Sequence, residues 1–113
     1  MSDSKKYLIV GASSGVGAAL YTLLKKDQHQ VITASRRDVP GSTTHITIDV
    51  TNDELNLSQL PDALDGLVYC PGSIHLKPFH RIMDEEFVEA FNLNVTGAIR
   101  VVRAVLPLLK NSQ

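Results

Sequence analysis

Four short apolar runs, each bounded by polar or turn-forming residues, recur along the first two thirds of the chain. Short runs of this kind, rich in β-branched and aromatic residues, predict strands that are buried on both faces of a sheet. Pro40-Gly41 marks a turn between the second and third runs. The four predicted strands cover residues 7–10 (YLIV), 31–34 (VITA), 45–50 (HITIDV) and 67–70 (LVYC).

Two longer stretches have the period of amphipathic helices. The second runs from about Asp84 to Lys110, and its far half is apolar on most sides, which predicts burial against more than one neighbour. Pro107 predicts a kink or an end of this helix, because proline cannot donate the helical hydrogen bond. A capping-box pattern at residues 51–54 (TNDE) predicts a further short helix. The first of the two longer stretches runs from about Val16 to Lys26. Its apolar stripe is formed by Val16, Leu20, Leu23 and Leu24.

The alternation of strands and helices predicts an α/β fold in which helices cover both faces of a parallel sheet. Right-handed crossovers give the strand order 3-2-1-4. The fourth strand would then be an open edge, and apolar parallel edges are rarely left uncovered. We therefore expect an incomplete sheet.

A glycine-rich turn, residues 11–17 (GASSGVG), joins the first strand to the first helix and spells G-x-x-x-G-x-G. Glycines permit a tight turn and a close approach of a pyrophosphate, and the helix start supplies free N–H groups. No Lys-Ser/Thr pair follows, which excludes a P-loop. The alternative is a plain glycine turn for close packing. A Rossmann-like dinucleotide-binding unit is predicted, with cofactor contacts from Gly11, Ser13, Ser14, Gly15, Val16 and Gly17.

The end of the second strand carries residues that could select the cofactor. In a Rossmann unit an acidic residue at this point binds the ribose hydroxyls of NAD, whereas a nearby arginine accommodates the 2′-phosphate of NADP. Ser35 stands in place of the acidic residue, and Arg36 and Arg37 follow it. Guanidinium groups offer paired hydrogen bonds to phosphate. These three residues predict binding of NADP(H) in preference to NAD(H); the alternative is a solvated basic pair.

The form and order of these motifs resemble the short-chain dehydrogenase/reductase family over nearly the whole chain. Asp49-Val50 resembles the family's acidic residue that reaches the adenine amino group, and Cys70-Pro71-Gly72 stands where the family has Asn-Ala-Gly. Residues 92–95 (NLNV) resemble the family's helix motif, whose second asparagine belongs to a catalytic tetrad. The resemblance implies a catalytic role for Asn94 and cofactor contacts from Asp49, Val50, Cys70, Pro71 and Gly72.

The sequence departs from the family pattern at the fourth strand. Tyr69 and Cys70 replace the expected asparagine pair, so we expect a side-chain hydrogen bond that braces the sheet to be missing. Backbone contacts to the cofactor are compatible with this change.

The family's reaction is hydride transfer between a nicotinamide and a small carbonyl or alcohol substrate, with a Tyr-x-x-x-Lys pair as general acid or base. Here the spacing occurs only at Tyr21 and Lys25, in the first helix, where we reject it as catalytic. We therefore interpret residues 1–113 as a partial Rossmann domain of an NADP-dependent oxidoreductase, without the C-terminal catalytic part and inactive alone. The alternatives are a non-catalytic NADP-binding sensor and a self-associating assembly module. The family commonly dimerises through the long helix, which implies a homo-oligomer.

Composition narrows the remaining possibilities. The chain has 113 residues, fits one domain and carries a formal net charge of -1, so nothing indicates binding to nucleic acid or a membrane. The single cysteine, Cys70, forms no internal disulfide, and the polar N-terminus lacks a signal core, which together predict a cytoplasmic protein. His75 and His80 make a poor ligand pair, and we predict no metal site.

Overall fold

The computed structural model of the chain describes residues 4–13, 15–42, 44–52, 55–71 and 78–111. None of the helices in these ranges is long and apolar enough to cross a membrane. The elements, in chain order, are β1 (Lys6–Val10), α1 (Gly15–Lys26), β2 (Gln30–Ser35), β3 (His45–Thr47), β4 (Gly66–Tyr69), a 3-10 turn (Phe79–Arg81), α2 (Asp84–Phe91), a π-helical turn (Asn92–Thr96) and α3 (Gly97–Asn111).

The four strands form one parallel sheet in the order β3-β2-β1-β4, which confirms the predicted order. Val10 at the end of β1 is paired with Ala34 of β2 and with Tyr69 of β4. The carboxyl ends of these three strands therefore meet at the same edge of the sheet. Ligands of open α/β sheets bind beyond this edge, so we expect a binding site there.

The sheet has a helix on each face, as predicted. Leu8 and Val10 are fully buried on the side covered by α3, together with Val101 and Val105. Ile9, between them in β1, belongs to the opposite cluster on the α1 side. Because successive strand residues point to opposite faces, an apolar run without alternation is required here, and residues 7–10 have one.

The predicted apolar stripe of α1 is partly wrong. Val16 and Leu23 are 77% and 59% exposed, whereas Gly17 and Tyr21 are buried and face the sheet. A Cβ atom built on Gly17 would lie 2.2 Å from the carbonyl oxygen of Gly11, so the helix touches the preceding turn at this glycine. This contact sets which side of α1 faces the sheet, and it is made by a glycine, which adds nothing to an apolar stripe.

The predicted long helix is divided by a π-helical turn. The N–H of Gly97 donates to the carbonyl of Asn92, five residues earlier, and regular α-helix continues on both sides of residues 92–96. Pro107 does not end the helix, which continues to Asn111. Beyond Pro107 the Leu108 carbonyl accepts the N–H of Leu64 (3.0 Å), and this contact holds the last turn against the domain.

The short helix predicted to start at residues 51–54 is not found in the part of this segment that the structure describes. Residues 51–52 and 55–65 form turns and irregular chain, and Asp53 and Glu54 lie outside the described residues. The hydroxyl of Thr51 donates to Asp49 Oδ1 (2.6 Å), which closes a local turn. Residues with short polar side chains often prefer such bonds to a helix start.

Candidate functional site

A cavity of about 720 Å³ lies beyond the carboxyl ends of β1, β2 and β4. Its volume is within the range of small-molecule and cofactor sites. Nine of the fifteen residues predicted for the site line it, and five described residues that were not predicted join them. The predicted residues are Gly11, Ser13, Ser35, Arg36, Arg37, Asp49, Val50, Cys70 and Pro71, and the others are Ile48, Thr51, Glu89, Asn92 and Leu93.

The glycine turn forms one wall of the cavity through Gly11 and Ser13. Gly11 has a φ of +88°, and a Cβ atom on it would lie 2.8 Å from the nitrogen of Pro71, so backbone packs directly on backbone here. The glycine therefore permits close packing, as the alternative interpretation of the turn holds. The turn also lines the cavity, and the packing contact does not explain that. Gly15, Val16 and Gly17 begin α1 without lining the cavity, and Ser14 lies outside the described residues.

The basic wall of the cavity follows the end of β2. Ser35 is buried, and its hydroxyl donates a short hydrogen bond to the carbonyl of Arg37. Arg36 and Arg37 are exposed and line the cavity. A neutral residue thus occupies the strand end, and two exposed cationic side chains beside it could bind an anionic group in the cavity.

Asp49 lies in a tight turn after β3 and lines the same cavity as the glycine turn. Its Oδ1 atom accepts hydrogen bonds from the Thr51 hydroxyl (2.6 Å) and the Thr51 N–H (3.0 Å). These two bonds, the hydroxyl first, lower the pKa of Asp49; partial burial opposes them, and the nearby charge of Arg36 adds to them. The carboxylate is therefore ionised at neutral pH. The Asp-x-Thr spacing is typical of such turns and could have identified Thr51.

Cys70 and Pro71 follow β4 and line the cavity. The N–H of Cys70 donates to the carbonyl of Val10 (2.8 Å), which extends the sheet pairing by one residue. Burial raises the pKa of the Cys70 thiol. Gly72, the third predicted residue of this segment, lies outside the described residues.

The π-helical turn brings Asn92 and Leu93 to the cavity, whereas Asn94 is exposed and is not among its lining residues. The hydroxyl of Tyr69 donates to the Leu93 carbonyl (2.6 Å), so a side-chain hydrogen bond joins the end of β4 to this turn. The expected absence of a side-chain bond that braces the sheet itself stays a prediction. Burial raises the pKa of Tyr69, and the charge of Arg100 partly offsets that effect. The motif at residues 92–95 was the available signal for Asn92 and Leu93, yet it pointed to Asn94. The π-helical turn, which changes the orientation of residues 92–96, could not be predicted.

Metal binding finds no support in the described part of the chain. No group of three or more His, Cys, Asp or Glu side chains is gathered there. His75, one of the two histidines considered as metal ligands, lies outside the described residues.

The comparisons with known proteins agree with the fold. Cyclopentanol dehydrogenase from Comamonas sp. is 26% identical over 129 residues, which cover 97% of this chain and 51% of the relative. The chain thus spans about half the length of this curated relative. The ligand-free aldohexose dehydrogenase of Thermoplasma acidophilum shares the fold, with a TM-score of 0.87 at 23% identity over 97% of this chain and 46% of that one.

A short-chain dehydrogenase from Leptospira borgpetersenii, solved with bound NAD+, has a TM-score of 0.77 at 25% identity over 96% of this chain and 47% of that one. The family model described as short chain dehydrogenase matches residues 5–113. The chain belongs to the short-chain dehydrogenase family, whose members are oxidoreductases that bind nicotinamide cofactors.

Proposed function

We propose that this chain is the NADP(H)-binding part of a short-chain oxidoreductase that reduces a small carbonyl or oxidises an alcohol. The observation that carries the proposal is the convergence of the glycine turn, the arginine pair and the Asp49 turn on one cavity. These features are far apart in sequence, and each was predicted to contact a different part of the same dinucleotide. When bound, the cofactor supplies or accepts the hydride.

The residues of the cavity fit the parts of such a cofactor. Backbone at Gly11 and Ser13, next to the start of α1, suits a pyrophosphate, since helix starts offer free N–H groups and the positive end of the dipole. Arg36 and Arg37 suit a 2′-phosphate. The Asp49 carboxylate suits the adenine amino group, and Val50 adds an apolar surface beside it.

We also propose that residues 1–113 bind the cofactor without turning over substrate. The only Tyr-x-x-x-Lys in this sequence begins at Tyr21, which is 9% exposed and packed between α1 and the sheet. A general acid or base must reach the reacting atom, and a buried core tyrosine does not. In this proposal the 113 residues are a partial Rossmann domain, and Asn94 contributes the tetrad asparagine in the complete enzyme.

The cofactor preference is tested by the Arg36→Ala variant, with the exposed Arg103→Ala variant as control. Loss of a charge-assisted bond to the 2′-phosphate should weaken NADPH binding by about ten- to a hundredfold. NADH binding should change much less, because NADH lacks this phosphate. Arg103 is exposed on α3 and does not line the cavity, so its removal should leave both affinities unchanged. An equal loss for both cofactors in Arg36→Ala would contradict the assignment.

A second candidate function, self-association, is favoured by an apolar stripe along α2 and α3. Its residues are three or four positions apart and between 40% and 69% exposed: Val88, Phe91, Val95, Ile99, Val102 and Leu106. Exposed apolar surface of this kind marks contact sites. Light scattering after size-exclusion chromatography tests this: a dimer that Ile99→Lys converts to a monomer would support it. A monomer at all concentrations would oppose it.

A further inference from the structure

The turn that carries Asp49 receives little support from the sheet. The last bond of β3 to its neighbour is the N–H of Ile48 to the carbonyl of Ser35 (3.0 Å). The following residues, Asp49 to Asn52, form a turn closed by the N–H of Asn52 and the carbonyl of Asp49 (3.1 Å). One side of this turn lines the cavity. The carbonyls of Val50 and Thr51 need partners elsewhere, because buried or half-buried carbonyls are costly to leave unpaired.

Two side chains from the helical segment supply those partners. Arg100 of α3 donates from Nη1 to the Val50 carbonyl (3.0 Å) and to Asn92 Oδ1 (2.8 Å). Asn92 in turn donates from Nδ2 to the Thr51 carbonyl (3.2 Å). Two consecutive carbonyls of the turn are thus held by a connected pair of side chains. The Arg100 bonds are charge-assisted, and the planar guanidinium fixes their directions.

The same contact is tight at the level of packing. A Cβ atom on Gly97 would lie 3.1 Å from Val50 Cγ2 and 3.0 Å from the Asn92 carbonyl oxygen. The glycine therefore lets the Val50 side chain approach the helix closely enough for the Arg100 bonds to form. A displacement of the turn by a few tenths of an ångström would weaken these bonds, since hydrogen bonds depend steeply on geometry.

We infer that Arg100 is a positioning residue for the adenosine end of the cavity. It holds the Asp49–Thr51 turn against α3. Arg100 does not itself line that cavity, so it acts through the Val50 carbonyl and Asn92. The inference rests on the proposed function for the identity of the ligand. It adds a role to a residue that belongs to none of the motifs of the sequence.

The test uses Arg100→Met, which retains much of the apolar stem, and the exposed Arg103→Met as a matched control on the same helix. Hydrogen exchange of the ligand-free chain is measured first. Exchange should accelerate in residues 48–52 and stay unchanged in β1. The affinity for 2′,5′-ADP, a fragment that carries only the adenosine end, should then fall by about tenfold, because binding must order a turn that Arg100 no longer holds in place. Arg100→Lys should recover part of both effects, and Arg103→Met should alter neither.

Two hydrogen-exchange results would overturn the inference: unchanged exchange at residues 48–52 in Arg100→Met, or acceleration across the whole sheet, which would indicate a general role in stability. Equal 2′,5′-ADP affinity in the wild type and Arg100→Met would overturn it as well. Failure of the wild-type chain to bind 2′,5′-ADP would instead contradict the proposed function, and the exchange result would still decide whether Arg100 positions the turn.

Discussion

The hydroxyl of Tyr69 donates a 2.6 Å hydrogen bond to the carbonyl of Leu93, which joins the end of β4 to the π-helical turn beside the cavity. Gly97 makes room for this bond, because a Cβ atom there would lie 2.7 Å from the Tyr69 oxygen. Tyr69 stands where the family pattern has an asparagine. In this chain a longer side chain reaches the helix directly, and the irregular turn is fixed to the edge strand β4.

Tyr69→Phe should lower the free energy of unfolding by about 1–2 kcal/mol, because it leaves the Leu93 carbonyl without its donor. Burial raises the pKa of Tyr69 in the folded chain, so the neutral hydroxyl stabilises fully below the ordinary tyrosine pKa of about 10. This contribution should be lost as the pH rises through the higher folded value.

Urea unfolding at neutral and alkaline pH measures both effects. Tyr7→Phe is the matched control, since it keeps the edge-to-face ring contact with His29 at 5.3 Å. An alkaline loss of stability that is the same in Tyr69→Phe and in the wild type would rule out ionisation of Tyr69 as its cause.

Gly17→Ala should destabilise the chain by about 1–3 kcal/mol, the usual cost of forcing extra volume into a packed contact. The added methyl group would lie 2.2 Å from the Gly11 carbonyl oxygen, and the collision is with backbone that cannot rotate away. Thermal unfolding measures the loss. Val16→Ala, at a 77% exposed position of the same helix, should change stability by less than about 0.5 kcal/mol. Equal effects from the two substitutions would contradict the close contact between α1 and the turn.

Thr51→Val should raise the pKa of Asp49 toward the ordinary aspartate value of about 3.9, because the Thr51 hydroxyl is the main cause of its depression. A lowered pKa stabilises the folded chain above the ordinary value, and this contribution is lost as the pH falls through the folded value. The acid-dependent part of stability should therefore shrink in the variant. This change in the free energy of unfolding should be small, since solvent screens a partly exposed carboxylate.

An NMR titration of the Asp49 carboxyl carbon measures this shift. The charge of Arg36 is the weakest of the causes, so Arg36→Ala should raise the pKa of Asp49 less than Thr51→Val does. The opposite order would show that charge, and not the local hydrogen bond, controls this group.

Cys70 should report occupancy of the cavity, because it is the only cysteine and lines the cavity wall. Burial raises its pKa, so little thiolate is present at neutral pH and reaction with a disulfide reagent should be slow. Saturating NADPH should slow it further. The urea-unfolded chain, in which the thiol is exposed, serves as the fast control. A folded-state rate that is unchanged by NADPH would show that the cofactor lies elsewhere.

The sheet order and most of the cavity could be predicted from the sequence, because they depend on local patterns. Apolar runs identify strands, crossover handedness gives their order, and parallel strands bring Gly11, Arg36 and Asp49 to one edge. The π-helical turn could not be predicted in this way. Its hydrogen bonds depend on contacts made across the fold, among them Tyr69 with Leu93 and the packing of Gly97 against Val50. The role of Arg100 could not be predicted for the same reason, since its partners Val50 and Asn92 are 50 and 8 residues away in sequence.

The most direct test of the central claim is a fluorescence titration of the 113-residue chain with NADPH and, in parallel, NADH. We expect saturable binding of one NADPH per chain and clearly weaker binding of NADH, since only NADPH presents a phosphate to Arg36 and Arg37. Absence of saturable binding to either cofactor, or tighter binding of NADH, would contradict the assignment of this cavity as an NADP(H) site.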